Sequence, residues 1–341
     1  MRAPRLAIIA DDLTGALDAS APFSGCAHVR VAVAVTEFPE VLASGADIVA
    51  VSTGSREIAE CEARQRVAHA LSLVPPGTRV MKKIDSRLKG NVAAELDAFA
   101  GRHFVVLPAI PEFGRVVSGG ALQGFGVETP IAISRCLGAI RADIPDTVSD
   151  ADMDAAAGAA DEEAVLVGAR GLAQALARAM GANPAEQPQL SGPMLFAVGS
   201  NDPITLAQVA ALSTMCPDAC YVAAPSGDAA ARPPDARSAV TILQATSGSE
   251  TRRDAVARHF AASVAGWIEG MRMVLLTGGA TAEAVFDKLG ICALVVEGEA
   301  LPGLPLCRVG ERIFVTKSGG FGAADTLVRL ICGPQTNRWK N

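Results

Sequence analysis

The chain has 341 residues, and at about 150 residues per domain this length predicts two domains. Hydrophobic residues make up 50% of the chain and charged residues 19%, a balance that excludes global disorder. With 30 Lys and Arg against 36 Asp and Glu, the net charge of −6 argues against a nucleic acid or an anionic membrane as partner.

Neither a membrane span nor an export signal is predicted. The longest apolar runs, such as Val29–Val35, fall far short of the roughly 18 residues that a spanning helix needs. Charge returns at Asp11, directly after the apolar segment Leu6–Ala10, which is too early for a signal peptide. The 8 cysteines are scattered without zinc-ligand spacing and are predicted to be reduced and mostly buried. We therefore expect a soluble, cytoplasmic protein.

Short strand-like runs alternate with longer amphipathic segments along the whole chain. In chain order, the predicted strands are Leu6–Ala10, Arg30–Val35, Asp47–Ser52, Arg79–Lys83, His103–Leu107, Ala164–Val167, Met194–Val198, Ala219–Ala223, Val240–Ala245, Met273–Thr277, Ala293–Val296 and Arg312–Thr316. The predicted helices are Gly15–Ser24, Arg56–Leu73, Val92–Ala100, Gly171–Met180, Pro203–Met215, Glu250–Gly270, Ala282–Leu289 and Ala323–Leu330. Several strands are apolar throughout, which is typical of strands buried between two layers of helices. The pattern predicts an α/β fold with two domains, each a mostly parallel sheet flanked by helices.

The segment Gly181–Pro193 is polar, rich in proline and glycine, and without hydrophobic period, so it is the predicted domain boundary. The predicted domains are residues 1–185 and 186–341. Asp143–Glu163 carries 8 acidic residues among small ones and is interpreted as a solvated excursion within the first domain. Because ligands bind beyond the carboxyl ends of strands in open α/β sheets, the residues that follow each strand are the functional candidates.

Two adjacent aspartates, Asp11 and Asp12, follow the first predicted strand where a helix begins. Helix capping explains one aspartate at such a place. A second, close to Thr14 and Gly15, indicates a group that holds or activates a hydroxyl. Function is favoured over capping, and both interpretations stay open.

A dense run of charge, KKIDSRLKGN at Lys82–Asn91, follows the fourth strand. If the segment is extended, the side chains that share one face belong to Lys83, Asp85, Arg87 and Lys89. That face would form an anion site with one carboxylate inside it, and a solvated charge run is the alternative. Asn91 is predicted to cap the next helix.

Two arginines follow other strands of the first domain. Arg56 ends the turn that begins at Ser52, and Arg115 ends the segment PAIPEFGR that begins at Pro108. Arginine can hold a carboxylate through two parallel hydrogen bonds. Taken singly, either arginine is an ordinary surface residue, but the shared sheet edge favours a common site.

Three turns rich in Gly, Ser and Thr follow strands of the second domain, at Gly199–Pro203, Thr277–Thr281 and Lys317–Gly322. Glycine lets the backbone approach a ligand closely, and helix starts point N–H groups at anions, so together the turns predict a phosphate site. Each turn alone is equally typical of a tight turn. Neither a Walker P-loop nor a GxGxxG sequence after the first strand is present.

Seven ordered stretches span nearly the whole chain: IADDLTGALD at Ile9–Asp18, KKIDSRLKGN at Lys82–Asn91, PAIPEFGR at Pro108–Arg115, VGARGLAQALA at Val167–Ala177, GSNDPITLAQ at Gly199–Gln208, TGGATAEAV at Thr277–Val285, and TKSGGFGAADTL at Thr316–Leu327. In them the chain resembles the four-carbon acid sugar kinase family. The resemblance implies an ATP-dependent kinase whose N-terminal domain binds a sugar acid and whose C-terminal domain binds ATP. Phosphate is then expected to pass to the terminal hydroxyl of a tetronate, a 3-oxo-tetronate or a close branched or 3-oxo relative, in an active site in the interdomain cleft.

The resemblance also assigns residues to the two sites. Expected on the substrate side are Asp11, Asp12, Ser55, Arg56, Lys83, Asp85, Ser86, Arg87 and Arg115. Expected on the nucleotide side are Ser200, Gly278, Gly279, Ala280, Thr281, Lys317, Gly319 and Gly320. The expected catalytic residues are Asp12, Asp85 and Lys83, with Asp12 favoured over Asp85 as acceptor of the hydroxyl proton. Mg²⁺ is expected to arrive with ATP, held mostly by phosphates and water, so no protein metal site is predicted.

Three alternatives stay open. A ribokinase-type kinase would use Asp325, at the end of Gly322-Ala323-Ala324-Asp325, as its base. A non-catalytic acid-sugar-binding protein is suggested by Ala280, which stands where the resembled family carries an acid. A nicotinamide-dependent dehydrogenase is disfavoured by the missing GxGxxG sequence. Homodimerisation is also left open.

Overall fold

The computed structural model of the chain describes residues 2–99, 101–183, 190–233 and 238–332. The chain divides into two compact units: unit 1 is Met1–Ala185 with Ala293–Val296, and unit 2 is Glu186–Cys292 with Glu297–Asn341. The predicted boundary segment, Gly181–Pro193, falls partly on residues 184–189, which lie outside the described residues.

Unit 1 is built on a mostly parallel sheet. Its strands are β1 (Leu6–Ala10), β2 (Val29–Ala32), β3 (Ile48–Ser52), β4 (Arg79–Lys83), β5 (Phe104–Leu107), β6 (Arg115–Ser118), β7 (Ala121–Gly124), β8 (Val127–Ala132) and β9 (Val165–Gly168). Its helices are α1 (Leu13–Ser20), α2 (Phe38–Ala43), α3 (Glu60–Leu73), α4 (Val92–Leu96), α5 (Ile133–Leu137), α6 (Asp150–Ala159) and α7 (Arg170–Ala179). The strand order β2-β3-β1-β4-β9-β5 is parallel throughout. Strands β1, β3, β5 and β9 are buried along their whole length, as their apolar sequences predict.

One strand joins unit 1 from far along the chain. Residues Ala293–Val296 pair antiparallel with β2 and cover its edge. The predicted division at residue 186 assigns this segment to the second domain. The structure differs because backbone pairing satisfies the edge of β2, which would otherwise present unpaired N–H and C=O groups.

Unit 1 also contains structure that the sequence analysis does not predict. Strands β6, β7 and β8 form a separate antiparallel sheet. Helix α6 lies within the predicted solvated excursion, and a capping box between Ser149 and Asp152 fixes its start. Because α6 buries only Met153 and Ala157, its sequence has little hydrophobic period to detect.

Unit 2 has a second parallel sheet with an antiparallel margin. Its strands are β10 (Met194–Val198), β11 (Cys220–Pro225), β12 (Val240–Thr246), β13 (Met273–Thr277), β14 (Ala293–Leu301, of which the first four residues belong to unit 1), β15 (Leu304–Val309) and β16 (Arg312–Lys317). Its helices are α8 (Pro203–Met215), α9 (Arg253–Trp267), α10 (Gly279–Lys288) and α11 (Thr326–Cys332). Strands β11, β12, β10, β13 and β16 are parallel in that order, and β15 is antiparallel to β16. The prediction of an α/β fold with a mostly parallel sheet in each half is confirmed.

All eight cysteines are free, and Cys307 alone is buried. The prediction of mostly buried thiols is therefore wrong. Cys61 and Cys332 lie at helix ends, where a small side chain faces solvent at little cost. Among the described residues, no helix has both the length and the apolar character that crossing a bilayer requires.

Candidate active site

The parallel strands of unit 1 end level with one another. Ala10 at the end of β1 is paired with Ser52 of β3 and with Lys83 of β4, and Lys83 is paired with Gly168 of β9. The segments that follow these strands therefore start at one edge of the sheet. This register brings the charged motifs of the first half of the chain together.

Arg56 is engaged with the two adjacent aspartates. It donates two hydrogen bonds to Asp11, at 2.8 and 2.9 Å, and two to Asp12, at 2.7 and 2.8 Å. Burial alone would raise the pKa of Asp11, but Arg56, with Lys82 and Lys83, holds it below its ordinary value. The sequence predicts that Arg56 binds the substrate, whereas in the structure it compensates the Asp11–Asp12 pair, because two buried carboxylates need a cation.

Asp12 caps helix α1 and has no acceptor position left. Its Oδ1 accepts from the Gly15 N–H at 2.8 Å, and its Oδ2 accepts from the Thr14 hydroxyl at 2.7 Å. Each oxygen also accepts a hydrogen bond from Arg56. A carboxylate oxygen has two lone pairs, so these four bonds occupy Asp12 completely.

Lys83 reaches the same place from the end of β4. Its buried ammonium donates to the Ile84 carbonyl at 2.8 Å, and its charge helps to lower the pKa of Asp11. A Cβ on Gly15 would lie 2.8 Å from Lys83 Nζ and would also collide with Asp12 Oδ1. Glycine at position 15 therefore leaves room for the ammonium beside the start of α1.

A second buried network lies behind these residues. Ser55 is fully buried and bonds to Glu95 Oε1, while Glu95 Oε2 pairs with Lys82 Nζ at 2.7 Å. Ser55 is thus directed inward, in contrast to its predicted contact with the substrate, because Glu95 offers its hydroxyl a buried acceptor. The sequence predicts that Asn91 caps the next helix, but its side chain makes no cap hydrogen bond. Instead, the Asn91 amide donates to the Ser55 and Ile58 carbonyls at 2.8 Å each.

Asp85 keeps one carboxylate oxygen available. Its Oδ1 accepts from the N–H groups of Arg87 at 2.9 Å and Lys89 at 3.3 Å. Its Oδ2 accepts no hydrogen bond from a described residue and lies 3.9 Å from Arg56 Nη1. Because the Asp85 side chain is 18% exposed, this oxygen is open to a ligand.

Arg87 is an unpaired cation of the same segment. Its half-buried guanidinium makes no hydrogen bond or ion pair with any residue that the structure describes. The pKa of neighbouring Arg115 is lowered by burial and by the charge of Arg87, and Asp85 opposes this shift. Two adjacent cations and one available carboxylate oxygen suit a small anion that carries a hydroxyl.

Arg115 is held in place by the small antiparallel sheet. Its Nε and Nη2 donate to the Phe125 carbonyl at 3.0 and 2.9 Å, and its Nη1 donates to the Ser86 hydroxyl at 2.6 Å. Phe125 lies in the turn between β7 and β8. The sequence analysis does not include Phe125, because a carbonyl contact leaves no trace in a side-chain pattern.

Arg170, directly after β9, is a buried residue that the sequence analysis also omits. Its Nη1 donates to Asp18 of α1 at 3.2 Å, and its guanidinium lies 5.9 Å from the centre of the Phe113 ring. These contacts tie α1 to the turn that precedes Arg115. The signal available in the sequence was an arginine directly after a predicted strand.

The parallel strands of unit 2 also end level. Val198 of β10 is paired with Gln244 of β12 and Thr277 of β13, and Thr277 is paired with Lys317 of β16. The three glycine turns therefore begin at one edge of this sheet. The segment directly after β12, for which the sequence predicts no role, begins there too.

The turns approach one another so closely that side chains are excluded at several positions. A Cβ on Gly199 would collide with Thr281, and one on Gly319 would collide with the Ser200 hydroxyl. Gly278 has a φ of 94°, in the region that favours glycine. Four of the predicted nucleotide-side residues, Ser200, Gly278, Thr281 and Gly319, are thus in one place within unit 2.

A cleft of about 650 Å³ opens beside these turns. Its lining includes the predicted residues Ser200, Ala280 and Thr281, while Phe260 and residues 245–248 supply a wall that the sequence analysis does not include. Gly279 is the first residue of α10, and a Cβ on Gly320 would lie 3.0 Å from Asp202 Oδ2. The cleft combines small residues and one aromatic side chain with a few polar and charged side chains, a lining that suits a small-molecule ligand.

Lys317 extends beneath the loop that follows it. The partners of its buried Nζ are the Thr205 hydroxyl at 3.1 Å, the Ser318 carbonyl at 2.9 Å, and the Gly319 and Phe321 carbonyls at 3.0 Å each. Burial lowers the pKa of Lys317 to about 8, and Asp202 opposes the shift. The predicted direct contact with phosphate is replaced by contact with the loop, because these partners use all three ammonium hydrogens.

Two family descriptions match the chain. A sugar-binding N-terminal domain matches residues 6–132, and a nucleotide-binding C-terminal domain matches residues 228–327. Together they cover more than half of the chain. The first range contains the charged site of unit 1, and the second contains two of the three glycine turns.

Two kinases match along nearly their whole length and a third matches over part of it. A D-threonate kinase of Bordetella bronchiseptica is 29% identical over 399 residues, covering 96% of this chain and 97% of the relative. A 3-oxo-tetronate kinase of Methylobacterium radiotolerans is 28% identical over 421 residues, covering 96% of this chain and 98% of the relative. A D-erythronate kinase of Heliobacterium modesticaldum is 36% identical over 125 residues, 34% of this chain and 28% of the relative.

Two crystal structures share the fold. A protein from Salmonella typhimurium LT2 has a TM-score of 0.74 at 19% identity, covering 95% of this chain and 98% of that chain. A protein from Haemophilus influenzae has a TM-score of 0.69 at 20% identity, covering 96% and 99%. At these identities the likeness concerns the fold alone. From the two domain matches and the relatives that match from end to end, the chain belongs to the four-carbon acid sugar kinase family.

Proposed function

We propose that the protein is an ATP-dependent kinase that phosphorylates the terminal hydroxyl of a small sugar acid: a tetronate, a 3-oxo-tetronate or a close branched or 3-oxo relative. The names of the relatives, D-threonate kinase and 3-oxo-tetronate kinase, support this substrate class. The observation that carries the proposal is that one cation and one carboxylate oxygen in unit 1 have no hydrogen-bond partner among the described residues. The Arg87 guanidinium has no partner among the described residues, and in the same segment Asp85 Oδ2 accepts no hydrogen bond from them and lies 3.9 Å from Arg56 Nη1.

The carboxylate of the acid is assigned to Arg87 and Arg115. Arg87 has all its donors available among the described residues, and Arg115 is oriented by Phe125 and Ser86. The mutual repulsion that lowers the pKa of Arg115 would be relieved by a bound anion. Lys83 adds positive charge at the end of the neighbouring strand.

The proton of the attacking hydroxyl is assigned to Asp85. A general base needs a lone pair within hydrogen-bond reach of the hydroxyl. Asp12, the favoured base of the sequence analysis, has four donors on its two oxygens, whereas Asp85 Oδ2 has none. Asp12 and Asp11 are then residues that, with Arg56, fix the floor of the site.

The nucleotide is assigned to unit 2. The nucleoside would occupy the 650 Å³ cleft beside Phe260, and the phosphates would lie along Ser200 and the glycine turns. The start of α10, where Gly278 and Gly279 carry no side chain, offers N–H groups and the positive end of a helix dipole to an anion. Ala280 lines the cleft and leaves it room.

The chemistry of Asp202 is compatible with the Mg²⁺ that accompanies ATP. Asp202 Oδ1 accepts from the Ile204 N–H at 2.9 Å, while Oδ2 accepts no hydrogen bond from a described residue and lies beside Gly320. One carboxylate oxygen suits a hard cation that keeps its phosphate and water ligands. Such an ion would neutralise charge on the β- and γ-phosphates.

The proposed reaction needs alignment and charge neutralisation more than covalent help from the protein. The terminal hydroxyl oxygen forms a bond to the γ-phosphorus, the bond between that phosphorus and the β–γ bridging oxygen breaks, and ADP leaves. Asp85 takes the hydroxyl proton. The arginines hold the carboxylate so that the far end of the acid carries the reacting hydroxyl.

A coupled ADP-release assay tests the proposal. Tetronates, their 3-oxo forms, and branched or five-carbon acids are offered with ATP and Mg²⁺, and the product of the best acid is examined by phosphorus NMR for coupling to a terminal CH₂ group. We expect acid-dependent ADP release and a terminal phosphate ester. ATP binding by calorimetry without ADP release with any acid would contradict kinase activity, and absence of both would favour a non-catalytic acid-binding protein.

A further inference from the structure

The glycine loop, residues 318–324, directs its carbonyl groups inward. Lys317 donates to the carbonyls of Ser318 at 2.9 Å, Gly319 at 3.0 Å and Phe321 at 3.0 Å. Thr205 also donates to the Gly319 carbonyl, at 2.6 Å. Gln208 donates to the carbonyls of Phe321 at 3.0 Å and Ala323 at 2.8 Å. All three donor side chains are buried. Four of the loop's peptide groups are therefore fixed in orientation from beneath.

The orientation of the carbonyls determines that of the N–H groups. In a trans peptide the N–H points opposite to the C=O, and no cis peptide occurs among the described residues. The N–H groups of these four peptides belong to Gly319, Gly320, Gly322 and Ala324. They point away from Lys317, and none of them donates to a residue that the structure describes. Successive N–H groups that face outward together form a site for an anion.

Convergence of carbonyl groups has a cost that a cation can offset. Three carbonyl oxygens, each with partial negative charge, lie within hydrogen-bond distance of Lys317 Nζ. An ammonium supplies three donors and a full positive charge, which a neutral side chain cannot do. The loop conformation is therefore matched to a protonated lysine.

We propose that Lys317 is a positioning residue that acts through the glycine loop: its ammonium draws the loop carbonyls inward and so presents the opposite N–H groups to the triphosphate of the nucleotide. This inference rests on the proposed function, because it presupposes that ATP binds in unit 2. Lys317 then acts without touching the phosphates, which distinguishes it from a lysine that binds phosphate directly.

The variant Lys317→Met removes the charge and keeps most of the volume. Calorimetry with ATP and with adenosine separates the two halves of the nucleotide. We expect the Kd for ATP to rise by about 10- to 100-fold, the effect of losing hydrogen bonds to a charged group, while the Kd for adenosine is unchanged. Lys288→Met is the matched control, because Lys288 is exposed at the end of α10 and has no partner among the described residues.

The pH dependence of ATP binding is a readout that a merely structural lysine would not show. With a pKa of about 8, the ammonium loses its proton, and one of its donors, as the pH rises through that value. The side chains that face it from α8 are neutral Thr205 and Gln208 and the carboxylate of Asp202, and neutral Thr277 lies beside it on β13. We expect the Kd for ATP to begin to rise as the pH passes about 8 in the natural protein, because ATP binding favours the protonated lysine, and to stay flat in Lys317→Met.

The outcomes separate this inference from the proposed function. If the natural protein binds no ATP, the proposed function is wrong. If it binds ATP and Lys317→Met binds it equally well, with the same pH profile, the positioning role is wrong and the kinase proposal stands. Should Lys317→Met not fold, Thr205→Val, which removes one donor to Gly319, is expected to weaken ATP binding by about threefold to tenfold, and an unchanged Kd in that variant would overturn the inference.

Discussion

The two sites differ in which part of the chain faces the ligand. In unit 1 the site is made of charged side chains, and most of them are already paired: Arg56 with Asp11 and Asp12, and Lys82 with Glu95. In unit 2 the site is made largely of glycine-rich backbone, and the cation Lys317 lies behind the loop.

The difference shows that a residue in a conspicuous charged motif is not necessarily a residue that contacts the ligand. In unit 1 the conspicuous motif residues stabilise each other. The groups left for a ligand are the Arg87 guanidinium, which has no described partner, and Asp85 Oδ2, which accepts no hydrogen bond from a described residue. In unit 2 the side chains orient the peptide groups, which then serve as donors. Removing each of these groups by substitution tests whether it stabilises the fold or contacts the ligand.

The largest effect is expected from Asp85→Asn. If Asp85 accepts the hydroxyl proton, kcat should fall by about 10²- to 10⁴-fold with little change in the KM for the acid, because the amide cannot act as base. Steady-state kinetics measure this. Asp12→Asn should lower kcat less than Asp85→Asn and act mainly by weakening the ion pair with Arg56, because asparagine can still cap α1.

Asp325→Asn completes that series, because Asp325 is exposed directly before α11 and would be the base of a ribokinase-type enzyme. Full turnover in Asp85→Asn together with lost turnover in Asp325→Asn would contradict the assignment.

Arg56→Met should act on stability. It leaves two buried carboxylates without their cation, and breaking such a pair costs about 3–5 kcal/mol of unfolding free energy. Denaturant unfolding measures the loss. Arg64→Met, exposed on the neighbouring helix α3, is the control and should change stability by no more than about 0.5 kcal/mol. A stable Arg56→Met that has lost affinity for the acid would show that Arg56 belongs to the ligand after all.

Arg87→Met should weaken binding of the acid and leave stability unchanged. Because Arg87 has no partner among the described residues, its loss should leave unfolding unchanged and raise the KM for the acid by about 10- to 100-fold, the effect of one charge-assisted contact. Arg135→Met, an exposed arginine of α5, serves as the charge-matched control. An unchanged KM in Arg87→Met would exclude it from carboxylate binding.

The smallest effect concerns acid stability. The folded pKa of Asp11 lies below its ordinary value of 3.8, so its ion pair contributes fully above that value. As the pH falls below 3.8, the unfolded chain takes up the proton first, and the contribution is lost through the folded pKa. Denaturant unfolding from pH 7 to pH 3 should show the stability difference between the natural protein and Asp11→Asn shrinking at the acid end. A difference that grows on acidification would contradict the pairing.

The sequence predicts the architecture and the location of both sites, because apolar strands and the residues that follow them are local signals. It does not predict the pairing of Arg56 with Asp11, since partners 45 residues apart are brought together only by the register of β1 and β3. The small antiparallel sheet is likewise missed, because its strands are short, partly exposed and joined by glycine-containing turns.

The sequence also does not predict the direction in which a side chain points. Lys317 follows the pattern of a phosphate-binding lysine, and its inward direction depends on Thr205 and on the carbonyls of the next turn. Ser55 follows the pattern of a ligand-binding turn, and Glu95 on another helix decides where its hydroxyl points. In both cases one partner, Thr205 or Glu95, is remote in sequence.

The most direct test compares a four-carbon sugar acid with the polyol of the same length that lacks the carboxylate. Both are offered to the natural protein with ATP and Mg²⁺, and ADP release is measured as kcat/KM. If Arg87 and Arg115 hold the carboxylate so that the far hydroxyl reacts, the acid should be preferred by about 100-fold or more, the effect of two charge-assisted contacts. Equal turnover of acid and polyol would contradict the account.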